Sequence, residues 1–299
     1  MSAEKKLIKT KWGGYQYSPA PSAEELQAFY SKRYYQEDIG SYSTHYTEEE
    51  ITWWHVRAEL IAMALDHVQN TKSANPSLLD VGCGEGWLLD AFYKRGYAVQ
   101  GFDYSNAGIS RWHPHLLSFF SQGDIYSLLE DECVLGKRYD VIFLGNVIEH
   151  VIAPDALLQT FKKLLSPDGI LIVVAPNDFS DLQKYLLDRG AADQPWWLSY
   201  PEHLSYFNQD SMKAFLEDAG FELKKITGDF PIELSLLTDL TNYVRDTSVG
   251  PQTHKLRMRI DNYIFKQDRN KLLDVYSILG SMGVGRNLIY FSSPRVEGE

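Results

Sequence analysis

Short apolar runs alternate with segments in which apolar residues recur every three to four positions, and this alternation extends from residue 76 to residue 230. The short runs indicate strands, and the longer period indicates amphipathic helices. The run Ile170–Ala175 is aliphatic almost throughout, as in strands buried on both faces of a sheet. The pattern predicts an α/β fold with a parallel sheet. The predicted strands are Ser77–Gly82, Ala98–Asp103, Ser118–Gln122, Tyr139–Leu144, Ile170–Ala175 and Phe221–Ile226.

The segments on either side of this alternation have a different pattern. Two capping-box signatures predict helices over Ser22–Tyr30 and Thr47–Val68. Beyond residue 231, helical periodicity returns over Lys255–Phe265 and Lys271–Leu279, and Asn287–Ser292 predicts a last strand. An insertion of this length usually carries a function, such as a lid or an interface. The expected organisation is a helical and aromatic N-terminal cap (residues 1–75), a core (76–230), a helical insertion (231–285), and a final strand with its tail (286–299).

Composition narrows the classes of partner. Lys and Arg number 29 and Asp and Glu number 40, so the net charge is −11. General binding of nucleic acids or anionic lipids needs an excess of cations and is therefore disfavoured. The two cysteines, Cys83 and Cys133, are too few for a disulfide framework or a four-cysteine zinc site. Because no secretory signal or membrane-spanning stretch is visible, a soluble cytoplasmic protein is expected; the sequence leaves its oligomeric state open.

The glycine-rich stretch Leu78–Gly86 is the strongest local signal. An apolar strand leads into Gly82, Gly84 and Gly86, and a predicted helix follows. Glycine allows a sharp turn and a close approach of the backbone to a ligand, and a helix N-terminus adds N–H donors. The spacing is G-x-G-x-G and differs from the G-x-G-x-x-G of dinucleotide folds. Glu85 would also repel a pyrophosphate, which disfavours an NAD-dependent dehydrogenase or epimerase and suits a ligand with ammonium and sulfonium groups.

Polar residues follow four strands at one predicted edge of the sheet. Asp103 ends the second strand 19 residues after Gly84, a distance at which an acidic residue can bind both hydroxyls of a ribose. Asp124 follows the third strand, where it can accept a hydrogen bond from an adenine amino group, with Ile125 beside the ring. The fourth strand leads into Leu144–Val151, which adds further polar groups. Ligands of open α/β sheets bind beyond the carboxyl ends of the strands, so these residues predict one shared ligand site.

In combination, these segments resemble class I S-adenosylmethionine-dependent methyltransferases. The matching segments are LLDVGCGEGWLL, VQGFDYS, GDIYSL, YDVIFLGNVIEHV and LLSPDGILIVVAPN, with PEHLSYFN and FLEDAGFE following. The resemblance implies a Rossmann-like seven-stranded sheet whose last strand is antiparallel and lies between the fifth and sixth, with S-adenosyl-L-methionine as cofactor. By motif match, the methionine part of the cofactor would contact the backbone of Gly82, Cys83 and Gly84. The ribose would contact Asp103, and the adenine would contact Asp124 and Ile125. Asn146 would lie near the methionine end, and the other two predicted cofactor residues are Asp80 and Tyr104.

A narrower resemblance is to ubiquinone-biosynthesis O-methyltransferases and bacterial sugar methyltransferases. That branch shares E-H-V after the fourth strand and H-x-S-Y-F after the fifth. The flanking GGYQYSPAPS, NYVRD and GVGRNLI resemble methyltransferases of surface-polysaccharide or sialic-acid-like sugar pathways. Some quinone-branch enzymes carry an additional carboxylate beside the Glu-His pair that allows a metal site. Asn146 holds the matching position here, so no metal is predicted.

Three titratable side chains are candidate catalytic groups. Methyl transfer to a hydroxyl requires a base for the departing proton, and histidine suits this role near neutral pH. His203, in the loop after the fifth strand, is the first candidate; the alternative is a loop histidine that only holds backbone. His150 with Glu149 is the second; the alternative is a pair that hydrogen-bonds the entry of a helix. Cys83 is expected to pack and not to act as a nucleophile.

The expected function is methylation of a small molecule, with a sugar or nucleotide-activated sugar hydroxyl as the acceptor. The alternatives are a phenolic quinone precursor and a non-catalytic scaffold that binds S-adenosylmethionine. Many of the 40 aromatic residues lie in residues 12–54 and in Trp196–Phe207, and they either wall the acceptor pocket or pack the cap onto the sheet. The candidate wall residues are Tyr34, Tyr35, Tyr42, Tyr46, Trp53 and Trp54, and the candidate cations for a nucleotide-linked acceptor are Arg245, Lys255, Arg257, Arg259 and Arg286.

Overall fold

Two β-sheets are present in the computed structural model, which describes residues 5–22, 25, 43, 45–69 and 74–295. One sheet has three strands and the other has seven. The strands are β1 (Lys6–Lys9), β2 (Tyr15–Ser18), β3 (Ser77–Val81), β4 (Ala98–Asp103), β5 (Phe120–Gln122), β6 (Tyr139–Gly145), β7 (Leu165–Pro176), β8 (Ser205–Tyr206), β9 (Phe221–Gly228) and β10 (Asn287–Pro294).

The larger sheet has the strand order β5–β4–β3–β6–β7–β10–β9. β3 pairs in parallel with β4 on one side and with β6 on the other, so the strand order reverses there. At such a point an open α/β sheet forms a ligand crevice. β10 runs antiparallel between β7 and β9, with Ile289 opposite Val174 and Thr227. The predicted seven-stranded fold with an inserted antiparallel strand is therefore confirmed.

Helices flank the sheet, and several begin at a residue whose side chain caps the helix. Thr47 and Glu50 form the predicted capping box, and Asn208 caps the helix after β8. A helix is also predicted over Ser22–Tyr30, and within this segment Ser22 and Glu25 form reciprocal hydrogen bonds. Residues 23, 24 and 26–30 lie outside the described residues. The helices are α1 (Glu48–Asp66), α2 (Trp87–Lys94), α3 (Ala107–Trp112), α4 (Ile125–Val134), α5 (Pro154–Leu164), α6 (Asp181–Asp188), α7 (Gln209–Asp218) and α8 (Gly250–Ser281).

The sheet is buried on both faces. Successive residues of β3 point to opposite sides, so Leu78 packs in one apolar cluster and Leu79 in the other. The first cluster contains side chains of α1, α2 and α8, and the second contains side chains of α4, α5 and α7. The insertion is thus joined to the core through the second half of α8. Within the described residues, no helix is both long and apolar enough to cross a membrane.

Some elements differ from the sequence-based prediction. Residues 6–18, expected in a helical cap, contain β1 and β2; β1 pairs with β2, and β2 pairs with β8, in an antiparallel sheet. The third core strand begins only at Phe120, because Pro114–Phe119 form a 3-10 helix. The expected turn at residues 166–169 lies within β7, where the register against β6 shifts. The two helices predicted in the insertion form α8, which is interrupted at Asp268 (φ −161°, ψ 100°). The sequence pattern predicts helices over Pro154–Leu165 and from Asn208 or Asp210 to Ala219, which correspond to α5 and α7, but it does not predict α3, α4 or α6.

Gly280 in α8 packs directly on the backbone of β9. A Cβ atom there would lie 2.5 Å from the carbonyl carbon of Thr227 and 2.6 Å from the nitrogen of Gly228. Gly280→Ala is therefore expected to lower the free energy of unfolding by about 1–3 kcal/mol, although alanine ordinarily stabilises a helix interior. Urea denaturation measures this. Gly250→Ala is the control in the same helix, because its Cβ would meet only Tyr243 at 3.7 Å. Equal stability of the two variants would contradict the packing argument.

Candidate active site

The glycine loop between β3 and α2 has a backbone that only glycine adopts easily. Gly82, Gly84 and Gly86 have φ values of 78°, 55° and 84°. A Cβ atom at Gly82 would lie 2.4 Å from Cγ2 of Val147, and one at Gly108 would lie 2.8 Å from the carbonyl oxygen of Gly84. The loop is therefore closely enclosed by the chain after β6 and by α3.

Asp103 holds this loop from the end of β4. Its Oδ2 accepts a hydrogen bond from the N–H of Gly84 at 2.9 Å, and its Oδ1 accepts one from the N–H of Ser105 at 3.0 Å. Both carboxylate oxygens are thereby fixed in position, and each has the capacity to accept a second hydrogen bond. This geometry fits the predicted contact with two ribose hydroxyls.

Two buried groups lie beneath the loop. Burial and the nearby Asp103 carboxylate raise the pKa of Asp80 to about 8, and its Oδ1 has no hydrogen-bond partner among the described residues. A cationic ligand group would favour the ionised form of this carboxyl. Burial, with Asp80 and Asp103 nearby, also raises the pKa of the Cys83 thiol well above its usual value. A thiol of that kind packs and does not act as a nucleophile.

The predicted adenine residues lie at the next strand end. Asp124 caps α4, where its Oδ2 accepts a hydrogen bond from the N–H of Ser127 at 3.0 Å. The backbone links it to the ribose site, because the N–H of Gly123 donates to the carbonyl of Asp103 at 3.0 Å. Ile125 is half-buried, and Tyr104 is exposed directly after β4. The structure therefore brings the predicted adenine and ribose residues to one rim.

Asn146 follows β6 in a left-handed conformation with φ 54°. Its side-chain nitrogen donates to Oδ1 of Asn287 at 3.1 Å and lies 3.5 Å from Oε1 of Glu149. Asn287 in turn donates through both its backbone and side-chain nitrogens to Asp229. Asn146 is thus held by the ends of β9 and β10 and joins the rim to Glu149.

Glu149, His150 and His203 lie together, although the two histidines are 53 residues apart in the chain. The imidazole rings meet edge to face, with centroids 4.9 Å apart. His150 Nδ1 lies 2.6 Å from the carbonyl oxygen of Glu202, and its Nε2 lies 3.8 Å from Oε1 of Glu149. The loop that carries His203 is attached to the same place, because the N–H of Leu204 donates to the carbonyl of Glu149 at 2.7 Å.

The electrostatics of this group follow from burial. Burial and the neighbouring His150 lower the pKa of His203 to about 4, so the imidazole is neutral at pH 7. Burial raises the pKa of Glu149. One potential ligand atom from each of these three residues lies within 4.8 Å of the others, an arrangement that could hold a metal ion. Asn146 offers no carboxylate beside Glu149 and His150, whereas His203 offers a third potential donor, so the metal-free site stays a prediction.

A cavity of about 300 Å³ lies between the glycine loop and α1. Tyr46, Trp54 and Trp87 form its aromatic side. Glu85 connects two of them, because the Tyr46 hydroxyl donates to it at 3.0 Å and the Trp87 indole N–H donates to it at 2.7 Å. The other lining residues are Arg57, Ala58, Ile61, Asp80, Gly82, Cys83, Leu88, Phe143, Gly145, Asn146 and Val174.

Some of the aromatic residues predicted for the wall of the acceptor pocket line this cavity beside the glycine loop; the acceptor wall itself stays a prediction. Tyr46 and Trp54 line the cavity, whereas Trp53 is buried and donates from its indole to Asp261 at 2.8 Å. Trp197, from the loop after β7, packs against Phe179 with ring centroids 5.3 Å apart and is absent from the lining of this cavity. Tyr34, Tyr35 and Tyr42 lie outside the described residues.

Arg57 in α1 brings a cation to the cavity, and it was not among the predicted site residues. Its Nη1 lies 3.2 Å from Oδ2 of Asp229, and its guanidinium lies over the ring of Trp53 at 4.8 Å. The sequence signal for this cation is the pattern W-W-H-V-R, in which an arginine follows an aromatic pair by one helical turn. This signal does not identify Arg57 as a site residue, because α1 buries residues on most of its sides and periodicity does not show which side faces the glycine loop.

Comparison with known proteins agrees with this geometry. The family model described as a methyltransferase domain matches residues 53–226, more than half of the chain. The chain belongs to this methyltransferase family. The matched segment contains Arg57, the glycine loop and every predicted cofactor and catalytic residue. The protein is an S-adenosylmethionine-dependent methyltransferase, and S-adenosyl-L-methionine is its cofactor.

Individual relatives support the same assignment. A ubiquinone biosynthesis O-methyltransferase of Parvibaculum lavamentivorans is 30% identical over 176 residues, 58% of this chain and 68% of the relative. A ubiquinone biosynthesis O-methyltransferase of Caulobacter vibrioides is 32% identical over 182 residues, which cover 58% of this chain and 69% of that relative. The crystal structure of the 4+2 cyclase SpnF is 16% identical, covers 93% of this methyltransferase and 98% of its own chain, and has a TM-score of 0.50, which shows a shared fold.

The site residues fit S-adenosyl-L-methionine. The cavity combines the unpartnered Asp80 oxygen with the Arg57 guanidinium, which suit the α-ammonium and α-carboxylate of a methionine moiety. Asp103 and Asp124, the predicted partners of the ribose and the adenine, lie along the same rim. The individual contacts of these residues with the cofactor stay predictions.

Proposed function

We propose that this methyltransferase transfers a methyl group to a hydroxyl oxygen of a small molecule. The observation that carries the proposal is His203, an imidazole that is largely buried, neutral at pH 7 and adjacent to the Glu149–His150 pair. A hydroxyl becomes a good nucleophile only as its proton leaves, and a neutral imidazole can accept that proton.

Different residues bind the cofactor, accept the proton and exclude water. When bound, S-adenosyl-L-methionine would supply a sulfonium-activated methyl group, with its sulfur as the leaving group that keeps the electron pair of the broken sulfur–methyl bond. Asp103 orients the ribose, and Arg57 and Asp80 orient the methionine end. As the hydroxyl oxygen forms its bond to the methyl carbon, the hydroxyl proton passes to Nε2 of His203. Tyr46, Trp54 and Trp87 exclude water from the reacting atoms.

The acceptor that we propose is a sugar or nucleotide-activated sugar. The support is the flanking motifs, which lie in the cap and around the insertion. Residues 1–52 and 227–299 fall outside the matched methyltransferase domain, and the relatives from Parvibaculum lavamentivorans and Caulobacter vibrioides each match 58% of the chain. Phenolic acceptors are the second candidate, because relatives in the core are named for ubiquinone biosynthesis.

Among these two sugar acceptors, the cations in and beside the insertion favour the free sugar over the nucleotide-activated one. Arg286 is buried and lies 2.7 Å from Asp178, and Arg259 lies 2.8 Å from Glu49. Arg245 lies 3.4 Å from Asp239. Three of the five candidate cations for a nucleotide-linked acceptor are therefore already paired with carboxylates of the protein.

The acceptor class is tested by steady-state kinetics with free sugars, nucleotide-activated sugars and catechols as competing acceptors. The proposal predicts a higher kcat/KM for a sugar hydroxyl than for any phenol, with the methyl group on oxygen. A catechol preferred by tenfold or more would replace the sugar by the second candidate and leave O-methylation in place.

Arg57 offers a test of the methionine end of the site. Arg57→Met is expected to weaken binding of S-adenosyl-L-homocysteine by about 10- to 100-fold, because it removes a charge-assisted contact worth about 1.5–3 kcal/mol. Isothermal titration measures the affinity. Arg95→Met is the control, since Arg95 pairs with Glu59 and Asp66 outside the cavity. An equal affinity of the two variants would show that Arg57 does not bind the cofactor.

A further inference from the structure

A buried group of charges lies directly behind His203. Arg286, just before β10, places its Nη1 2.7 Å from Oδ1 of Asp178 and 3.5 Å from Oε1 of Glu233. Asp178 follows β7, and Glu233 lies in the short 3-10 helix after β9. Both carboxylates are almost completely buried. Charges in such surroundings persist only when they are paired, so Arg286 fixes the position of both carboxylates.

The two oxygens of Asp178 have different surroundings. Oδ1 accepts from Arg286 and lies 3.5 Å from the side-chain nitrogen of Gln183. Oδ2 is turned toward His203 and lies 4.0 Å from its Nδ1. That Nδ1 is buried and has no hydrogen-bond partner among the described residues. A closure of about 1 Å would make the hydrogen bond, and catalytic hydrogen bonds are often long before the substrate complex forms.

We propose that Asp178, held by Arg286, is the positioning residue of His203: it accepts the Nδ1–H of the imidazole and so presents an unprotonated Nε2 to the acceptor hydroxyl. This inference rests on the proposed role of His203 as the base. Without a partner for Nδ1, the ring would populate both tautomers, and only the one with Nε2 unprotonated can accept the proton.

The other groups that face His203 do not supply this function. His150 meets the ring edge to face, and its Nδ1 is already engaged by the carbonyl of Glu202. Tyr206 lies 6.0 Å away between ring centroids, and its hydroxyl donates to the His203 carbonyl. The remaining charged neighbours are Asp178, Glu202 and Arg286, together with Glu149, which offers an oxygen within 4.8 Å of a ring nitrogen of His203.

Asp178→Asn separates positioning from a structural role. Arg286 requires an oxygen at the place of Oδ1, so the amide nitrogen of the new side chain would face Nδ1 of His203 and donate to it. The imidazole would then carry its proton on Nε2 and could not act as a base. The same exchange in Ser-His-Asp triads keeps the geometry and fixes the wrong tautomer. We expect kcat to fall at least about 100-fold, with the KM for S-adenosylmethionine within twofold of wild type.

Nitrogen-15 NMR of histidine-labelled holoenzyme provides a readout that is independent of activity. The His203 signals, assigned by their loss in His203→Ala, should show a protonated Nδ1 in the wild type and a protonated Nε2 in Asp178→Asn. Glu233→Gln is the matched control, because it removes a charge beside the same arginine without facing His203; its tautomer and kcat should be those of wild type.

Three outcomes would overturn the positioning role. The first is a protonated Nε2 in the wild type, a result that requires neither the Asp178 variant nor the Glu233 variant to fold. The others are an unchanged tautomer in Asp178→Asn and an equal loss of kcat in Glu233→Gln. Failure of the proposed function looks different. His203→Ala would then retain its kcat while the tautomer results stay as expected.

Discussion

Asp103→Ala is expected to weaken binding of S-adenosyl-L-methionine by at least about 100-fold. The carboxylate accepts hydrogen bonds from the N–H groups of Gly84 and Ser105, so its removal leaves two donors unpaired and frees the glycine loop. Each unpaired buried donor costs about 1–3 kcal/mol, and the two predicted ribose contacts would be lost in addition. Calorimetric titration with S-adenosyl-L-homocysteine measures the effect.

Two variants separate the causes of this loss. Asp103→Asn keeps the shape and one acceptor oxygen, so an intermediate affinity is expected. Asp124→Ala removes an exposed carboxylate of the same rim and is expected to weaken binding by only about tenfold, since an exposed contact is worth about 1 kcal/mol. Wild-type affinity of a folded Asp103→Ala protein would show that the cofactor is bound elsewhere.

His203→Ala is expected to lower kcat by about 100- to 10,000-fold, the usual range for loss of a general base. Cofactor affinity should not change, because His203 does not line the cavity beside the glycine loop. The pKa of His203 is about 4, below the usual value, so the base is in its active neutral form above that pH. Activity that depends on it should therefore fall as the pH decreases through about 4 and stay level above.

The controls for this prediction address general damage and metal ions. His67→Ala, at the exposed end of α1, should retain wild-type kcat. Treatment of the wild type with a chelator should leave kcat unchanged. Loss of activity on chelation and its recovery with a divalent cation would instead assign Glu149, His150 and His203 to a metal site. An unaltered kcat in His203→Ala would remove the base from the mechanism.

The core of the fold could be predicted from the sequence because local pattern determines it. Strands such as Ala98–Asp103 are short apolar runs with defined ends, and Gly82, Gly84 and Gly86 take the positive φ values that make glycine necessary. Thr47 and Asn208 cap helices through their own side chains, which requires no distant contact. Residues 6–18 lack such a signal, since their strands are formed by pairing with each other and with β8.

The candidate site could be predicted only where its residues follow the strands. Asp103 and Asp124 have positions set by adjacent strand ends. The meeting of His150 with His203 depends on the loop after β7, which the N–H of Leu204 attaches to Glu149. The approach of Arg57 depends on which side of α1 packs on the sheet, and the pairing of Arg286 with Asp178 depends on where β10 inserts. These are long-range contacts, and periodicity contains no information on them.

The central claim, O-methylation with His203 as the base, is tested most directly by locating a labelled methyl group. Wild-type and His203→Ala proteins are incubated with S-adenosylmethionine that carries a trideuterated methyl group and with hydroxyl acceptors, and the products are analysed by mass spectrometry and NMR. We expect the label on a hydroxyl oxygen, at a rate at least about 100-fold lower in the variant. Label on nitrogen or carbon, or equal rates for the two proteins, would contradict the claim.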